Sequence, residues 1–384
     1  AEAEAAVEAA QYALMRGASR TEAAAESQAA AENVLASRFS DEGKPAELDD
    51  FGRDVGAARR SAAARRASAR QTLRFAESQS GTRSGETDDQ ENAEEMRLFN
   101  KGWLDVRDAA VCVMRDAGSE YATIATVKAK AEDWKRRFPK TYKDAWMSHA
   151  APTIFAPFVL LELLSWSPLF LAGSGDGPAP PLDGMNWYAE LLEYGGAADT
   201  EDPDGNLVPT LVEKLVAPAV AHAVASAWDP SCVAQSQRLA GVAADLLVYL
   251  DPRSCDPMAR VLASAARRLL ETATTRCAIP GWAPVATAAA PVAQAHVRRQ
   301  FGVALRCARA ATAWTGILPT ADVASVVRDH IVAREIAPHL RLALARPGEC
   351  LDGLERVAEV VPREWLESAR GVAAPFAQLA MASP

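Results

Sequence analysis

Apolar residues recur at helical spacing along most of this chain, and proline or glycine clusters interrupt them at short intervals. Two such series are Val106, Ala109, Ala110 and Val113, then Ile124, Val127, Ala131 and Trp134. From about residue 97 to 344 these segments alternate with breaks, and no stretch keeps the period-two alternation of a strand. About eight helices separated by short breaks predict an all-α fold, an α-solenoid-like or multi-helix domain.

Composition supports the helical prediction and limits the possible partners. Roughly a fifth of the 384 residues are alanine, the best helix former, and aromatic residues make up only 7%. No strict repeat period is visible, so an obvious tetratricopeptide or HEAT array is excluded. The formal net charge of −9 argues against nucleic-acid binding through the whole surface, although it leaves room for a local basic patch.

Membrane and secretory signals are not evident in the sequence. The first 35 residues are acidic and alanine-rich, unlike a signal peptide. The longest apolar stretch, Ile154 to Trp166, is interrupted by Pro157 and Glu162, and we expect it to be too short to span a bilayer. The six cysteines are scattered and never form a C-x-x-C motif, which indicates reduced thiols in the cytosol or the nucleus.

The sequence divides into four predicted segments. Residues 1–36 form an alanine- and glutamate-rich helix with few large aliphatic residues. This helix either lies in solvent or packs its alanine face on a partner. Residues 37–96 form an extended arm, 97–345 the helical domain, and 346–384 a C-terminal helical tail. Because the arm has few large hydrophobic residues, we expect it to become ordered on binding.

The arm carries a basic helix over residues 53–75, followed by an acidic linker over 77–95. The basic helix places its arginines around the whole circumference: Arg53, Arg59, Arg60, Arg65, Arg66, Arg70 and Arg74. Arginines of this kind contact RNA or other phosphates, an acidic protein surface, the chain's own acidic tract at 86–95, or solvent. Only Phe51 and Phe75 flank the segment, which weakens a base-stacking model.

A search for catalytic chemistry identifies no candidate. The five histidines lack metal-ligand spacing. The glycine-rich stretch at 173–177 has no preceding strand, no following helix and no Lys-Ser/Thr pair to hold phosphate and Mg²⁺. The neighbouring charges Glu213 and Lys214 point in different directions on a helix. The sequence therefore predicts no catalytic, cofactor-binding or metal-binding residue, and a protein that is not an enzyme.

The tryptophans are the most informative residues of the helical domain. Several lie at helix ends directly before a breaker, as in Trp166-Ser167-Pro168 and Trp228-Asp229-Pro230. Proline cannot continue a helix and biases the preceding residue away from helical geometry. We therefore interpret the tryptophans of the helical domain, Trp146 among them, as packing corners.

At these corners the sequence resembles the GC-rich sequence DNA-binding factor family, which is defined by its GCF C-terminal domain. The resemblance lies in the motifs around the following residues: Trp134, Tyr142, Trp166, Pro168, Trp187, Glu213, Lys214, Trp228, Asp229, Pro230, Gln235, Phe301 and Trp314. Residues 48–54 and the basic helix are similar to the branch that contains the PAX-transcription-factor-binding protein and its plant polyploidy-linked homologue. The likeness covers roughly residues 48–340. Alanine replaces many expected larger aliphatics, and the linkers at 171–184 and 280–292 differ in being rich in proline and alanine.

This resemblance implies a nuclear, non-enzymatic pre-mRNA splicing factor. It implies a scaffold of the intron-lariat spliceosome that acts in disassembly. The implied partners are a tuftelin-interacting-type G-patch protein with the same domain, a DEAH-box helicase, other spliceosomal proteins, and snRNA or intron RNA; no membrane and no cofactor are implied. The family name implies an alternative, a DNA-binding repressor of GC-rich promoters. No helix-turn-helix, zinc or zipper signature supports that alternative.

Overall fold

A computed structural model describes residues 1–39, 83–87, 93–169, 181–194, 202–344 and 346–368. Within these ranges the chain forms helices and no strand, apart from an isolated bridge between Thr315 and Leu318. The all-α prediction is confirmed. The chain divides into two compact units, which we describe separately. The four predicted segment boundaries stay a prediction.

The helices follow one another along the described ranges. They are α1 Glu2–Met15, α2 Arg20–Phe39, α3 Ala93–Val113, α4 Ile124–Arg137, α5 Pro139–Asp144, α6 Met147–Leu164, α7 Asn186–Leu191, α8 Pro203–Ala227, α9 Val233–Tyr249, α10 Asp256–Thr275, α11 Pro284–Ala289, α12 Pro291–Thr312, α13 320–343, α14 Pro347–Val360 and α15 Arg363–Ser368.

Two of the longer helices contain π-helical turns next to prolines. The π segment Val212–Val216 of α8 ends two residues before Pro218, and Val326–Ile336 of α13 ends two residues before Pro338. Proline has no N–H to donate to the carbonyl four residues earlier, and its ring crowds that carbonyl. The wider turn accommodates both effects, so each helix continues past its proline.

Unit 1 comprises residues 1–90, 270–312 and 321–384, and it begins with a helical hairpin. The sequence predicted one helix over residues 1–36, but the structure has two, α1 and α2. The break occurs at Gly17, whose φ of +85° favours glycine. A capping box then starts α2, because the Ser19 N–H donates to Glu22 Oε2 at 2.8 Å and the Glu22 N–H donates to Ser19 Oγ at 3.3 Å.

The hairpin packs on α11 and α12 through small side chains. We call this buried cluster the alanine seam: Ala3, Ala6, Val7, Ala10, Ala13, Ala23, Ala31, Ala286, Ala289, Ala290 and Ala293. Ser27 lies within it and donates from Oγ to the Ala289 carbonyl at 3.3 Å. The alanine face therefore packs on the chain's own helices.

Unit 2 comprises residues 91–269 and 313–320 and has an aromatic core. Helix α6 contacts α3, α5, α7 and α8 within this unit. Four buried tryptophans, here called the tryptophan corners, lie at helix ends or in short connections: Trp166, Trp187, Trp228 and Trp314. The rings of Trp228 and Trp314 lie 5.2 Å apart.

Two helices of unit 2, α6 and α8, are long and apolar enough to cross a membrane by length and composition alone. The sequence predicted that the apolar stretch from Ile154 to Trp166, most of which lies in α6, is too short to span a bilayer, but the helix itself extends over 18 residues. Core helices of ordinary globular domains meet the same criterion, and Phe155 and Val159 of α6 are completely buried within the unit. The expected lack of membrane contact stays a prediction.

Candidate functional site

The connection between α8 and α9 explains the Trp-Asp-Pro motif. Trp228 is 1% exposed and donates from Nε1 to Ser236 Oγ at 3.2 Å. The Asp229 N–H donates to Gln235 Oε1 at 2.9 Å, and Asp229 Oδ1 accepts the Ser231 N–H at 3.0 Å. Pro230 is buried beside them. These residues hold two helices at a fixed corner, which is a structural role.

A second corner is held by a glutamate that caps a distant helix. Glu162 of α6 accepts the Asn186 N–H at 2.7 Å and the Trp187 N–H at 2.9 Å. These are the first N–H groups of α7, which have no partner inside that helix. The buried Trp187 is thereby fixed against α6, while Pro168, which follows Trp166 beyond α6, is half-buried.

A buried polar network lies next to Trp134. Lys135 forms ion pairs with Asp202 and, at 2.7 Å, with the fully buried Asp204 carboxylate. Tyr142 donates to Asp204 Oδ2 at 3.0 Å, and its hydroxyl lies 2.8 Å from that of Tyr194. Burial and the contact with Tyr194 raise the pKa of Tyr142 far above its usual value.

The aspartate on the other side of this lysine responds in the opposite direction. Burial acts to raise the pKa of Asp202, but the hydrogen bonds from Lys135 and from the Asp204 N–H outweigh it and lower that pKa. Each charge in the network has a partner of opposite sign. We therefore assign the network a role in joining α4, α5 and the start of α8.

The remaining residues of the family motifs are scattered. Glu213 and Lys214 are exposed in the first π segment of α8. Phe301 is buried in unit 1, with the Arg356 guanidinium 4.9 Å from its ring centre. The Trp134 ring is half-buried and lies edge-on to Tyr142 at 5.6 Å. Glu213, Lys214 and Phe301 thus lie within helices and not at corners, and the described motif residues do not converge on a reactive centre.

The basic helix predicted at 53–75 lies outside the described residues, as does most of the acidic linker. Residues 83–87, which we call the strap, are described and pack on α12 in unit 1. Glu86 is 7% exposed and pairs with the equally buried Arg356. Arg306 of α12 donates to the Thr87 carbonyl at 2.6 Å.

A glycine on α12 makes room for the strap. A Cβ added at Gly302 would lie 2.0 Å from the Ser84 carbonyl oxygen. No side chain fits at that distance, so the strap backbone lies directly on the helix backbone. The sequence gives no local signal for this contact, because Glu86 and Arg356 are 270 positions apart.

Helix α3 exposes an apolar face. Phe99, Val106 and Val113 are 41%, 45% and 55% exposed and are spaced by seven residues. Trp103 and Ala110 lie between them and are half-buried. This 4-3-4-3 spacing is the seam pattern of helices that pair side by side. We call these five residues the α3 seam.

A basic and aromatic corner lies around α5. Phe138 and Trp146 are 58% and 69% exposed at the two ends of this short helix, and Lys140 and Lys143 are exposed between them. The sequence predicted a packing corner at Trp146, but the structure places this side chain at the surface. Whether a tryptophan is buried depends on which helices pack against it, and its location in the sequence does not show this.

The described residues include no group of three histidine, cysteine, aspartate or glutamate side chains that could hold a metal ion.

Comparison with known proteins identifies the helical region. Residues 124–345 match the family model described as GC-rich sequence DNA-binding factor-like protein. The Arabidopsis thaliana protein Transcriptional repressor ILP1 is 30% identical over 244 residues, which cover 62% of this chain and 26% of that protein. Human PAX3- and PAX7-binding protein 1 is 28% identical over 212 residues, covering 52% of this chain and 22% of that protein.

A mouse protein named Intron Large complex component GCFC2 is 23% identical over 292 residues, covering 73% of this chain and 37% of that protein. The chain therefore spans between 22% and 37% of the length of these curated relatives. By name, the relatives are nucleic-acid-associated factors or components of protein complexes.

Proposed function

The chain belongs to the GC-rich sequence DNA-binding factor-like family, and from this premise we propose that it is a non-enzymatic nuclear scaffold of pre-mRNA splicing. It would act in the intron-lariat spliceosome, during disassembly, beside a G-patch protein and a DEAH-box helicase. The observation that carries this proposal is the match over residues 124–345, together with a relative named for an Intron Large complex. The helical framework of that region supports a scaffold, since motif residues such as Trp228, Asp229 and Gln235 hold two helices at a corner.

The α3 seam is the surface through which the scaffold would meet a partner. Its heptad spacing fits the side of another helix, and the exposed Phe99, Val106 and Val113 would fill the spaces between that helix's side chains. Gly102 and Ala109 lie beside the seam and allow a close approach. We propose that the occupant is an apolar-faced helix of a partner protein with the same family domain.

Affinity purification from nuclear extract tests the assembly. The tagged chain is expected to recover excised intron lariat together with a G-patch protein and a DEAH-box helicase. Recovery of neither, under conditions in which other splicing factors are recovered, would refute the spliceosomal role. Replacement of residues 40–82 by a glycine-serine linker of equal length leaves the hairpin and residues 83–87 in place and tests whether the arm contributes to assembly. We expect it to reduce recovery of the complex.

Substitutions on α3 test the docking surface. The Phe99→Ser/Val106→Ser variant is expected to lose the G-patch protein, because two apolar contacts of the seam are removed. The matched control is Leu104→Ser/Val111→Ser, which makes the same kind of change at exposed positions on another side of the same helix. Equal recovery by both variants would exclude the seam as the docking surface.

A second candidate function is transcriptional repression through DNA, which is favoured by the relative named Transcriptional repressor ILP1. Titration with GC-rich and scrambled duplexes distinguishes it from the scaffold. If, at physiological salt, the affinity for the GC-rich duplex exceeds that for scrambled DNA by a factor of at least about 10³, the result would favour the repressor.

A further inference from the structure

Trp146 occupies a position where packing does not explain a tryptophan. Its side chain is 69% exposed at the junction between α5 and α6. Its φ is 54°, and it is the one non-glycine residue with positive φ in the part of the chain that the structure describes. That conformation favours glycine over any residue with a bulky side chain. Residues held in such conformations concentrate at functional sites.

Cationic side chains precede this tryptophan in the sequence. The twelve residues from Asp133 to Asp144 contain five bases and two acids, Asp133 and Asp144. Arg136 and Arg137 pair with Asp133. Lys140 and Lys143 are exposed, and neither forms an ion pair with a described residue. The two lysines therefore present positive charge to solvent in a chain whose net charge is −9.

A depression of about 450 Å³ lies directly beside Phe138. The rings of Trp134 and Phe138 line it together with Lys130, Asp133 and Arg137. Lys130 pairs with Glu120, and Arg137 pairs with Asp133. The depression therefore offers ring faces and a carboxylate acceptor to a nucleobase, while the charge for its phosphates has to come from Lys140 and Lys143.

We propose that the α5 corner, defined as Phe138, Lys140, Lys143 and Trp146, binds single-stranded nucleic acid. Bases stack on Phe138 and Trp146, and Lys140 and Lys143 neutralise the phosphates between them. The exposed rings flank the cations, and stacking on a ring face is a contact that a base makes and an acidic side chain does not. Nucleic acid therefore fits this surface better than an acidic peptide does.

This site does not depend on the proposed scaffold function, because it is tested on the purified chain alone. Fluorescence anisotropy with a labelled single-stranded RNA measures affinity between about 50 and 200 mM salt. The Trp146→Gly variant is expected to bind roughly 5- to 150-fold more weakly, the loss of one stacked base. Because glycine prefers the backbone conformation at this position, its melting temperature should not fall.

The lysines provide a second variant that keeps the fold. Lys140→Gln/Lys143→Gln is expected to reduce the slope of log affinity against log salt by about 1.4, or about 0.7 for each phosphate contact. The matched controls are Lys101→Gln/Arg107→Gln for charge and Tyr12→Ala for an exposed ring. A loss as large in the controls as in the α5 variants would overturn the proposal.

Crosslinking locates the bound strand independently of affinity. RNA that contains 4-thiouridine is expected to crosslink to peptides carrying Phe138 or Trp146. Crosslinks confined to residues 53–74 would overturn the site. A poly-glutamate peptide whose binding requires the α5 corner, in the absence of RNA binding there, would also overturn it and would assign the surface to an acidic protein.

Discussion

The two units of this protein pack with side chains of very different size, alanine in one and tryptophan in the other. Unit 1 packs its terminal hairpin through the alanine seam, whereas unit 2 buries the tryptophan corners. A buried alanine removes little apolar surface from water, so the seam depends on many close contacts between helix backbones. A buried tryptophan covers up to about 250 Å², so a few of them define the geometry of unit 2. Larger side chains in the alanine seam should therefore destabilise unit 1, and smaller side chains at the tryptophan corners should destabilise unit 2.

The largest expected effect is the loss of a tryptophan corner. Trp228→Ala should lower the free energy of unfolding by about 3–5 kcal/mol, because it leaves a cavity beside Trp314 and removes the partner of Ser236 Oγ. Urea denaturation followed by circular dichroism measures it. Trp146→Gly is the control, because that ring is mostly exposed. Similar losses in both variants would contradict the distinction between buried corners and the surface tryptophan.

The strap is attached to unit 1 by a buried ion pair between Glu86 and Arg356. The alanine seam and the tryptophan corners, by contrast, are held by apolar contacts. Glu86→Ala leaves Arg356 buried without its main partner and should cost about 3 kcal/mol. Asp352→Ala removes the other carboxylate near the same arginine, but that side chain is 49% exposed, so the cost should stay below about 1 kcal/mol. Hydrogen exchange at residues 83–87 reports whether the strap detaches. Equal losses from the two variants would show that burial of the pair does not matter.

The alanine seam should respond to added volume. Ala23→Leu forces a larger side chain into a fully buried position of α2 and should cost about 1–3 kcal/mol. Ala25→Leu makes the same change two residues later at an exposed position and should change stability by less than about 0.5 kcal/mol. Thermal unfolding measures both. If Ala23→Leu proves neutral, the hairpin does not pack as tightly as its seam indicates.

The sequence predicted those features of the fold that are determined by residues close together in the chain. Proline breaks and helical spacing predicted an all-α chain, and the Trp228-Asp229-Pro230 corner was identified from its local signal alone. The family resemblance was confirmed by the match over residues 124–345. The hairpin break at Gly17 also had a local signal, the capping box from Ser19 to Glu22, which the prediction of a single helix overlooked.

The strap, the exposed Trp146 and the α3 seam could not be predicted, because they depend on contacts between residues that are far apart in the sequence. Nothing near Glu86 in sequence indicates Arg356, and nothing near Gly302 indicates that a strap backbone lies on it. The exposure of Trp146 follows from where α5 and α6 meet, so a count of tryptophans could not separate it from the buried ones. Whether α3 exposes its seam likewise depends on how much of it α6 covers.

The smallest expected effect is a pH dependence of unit 1. Burial lowers the pKa of His339 below its usual 6.5, with Arg346 and Arg356 acting in the same direction and Glu349 against them; burial also lowers the pKa of His296.

As pH falls below about 6.5, the unfolded chain takes up protons that these folded histidines do not, so stability falls until the folded pKa values are reached. Hydrogen exchange at about pH 7.5 and about pH 5.5 should therefore show faster opening of α12 and α13, after correction for the intrinsic exchange rate. The His296→Gln/His339→Gln variant should lose this difference. If the double variant retains the full pH dependence, groups other than these two histidines control the acid response of unit 1. The response to acid would then not distinguish unit 1 from unit 2.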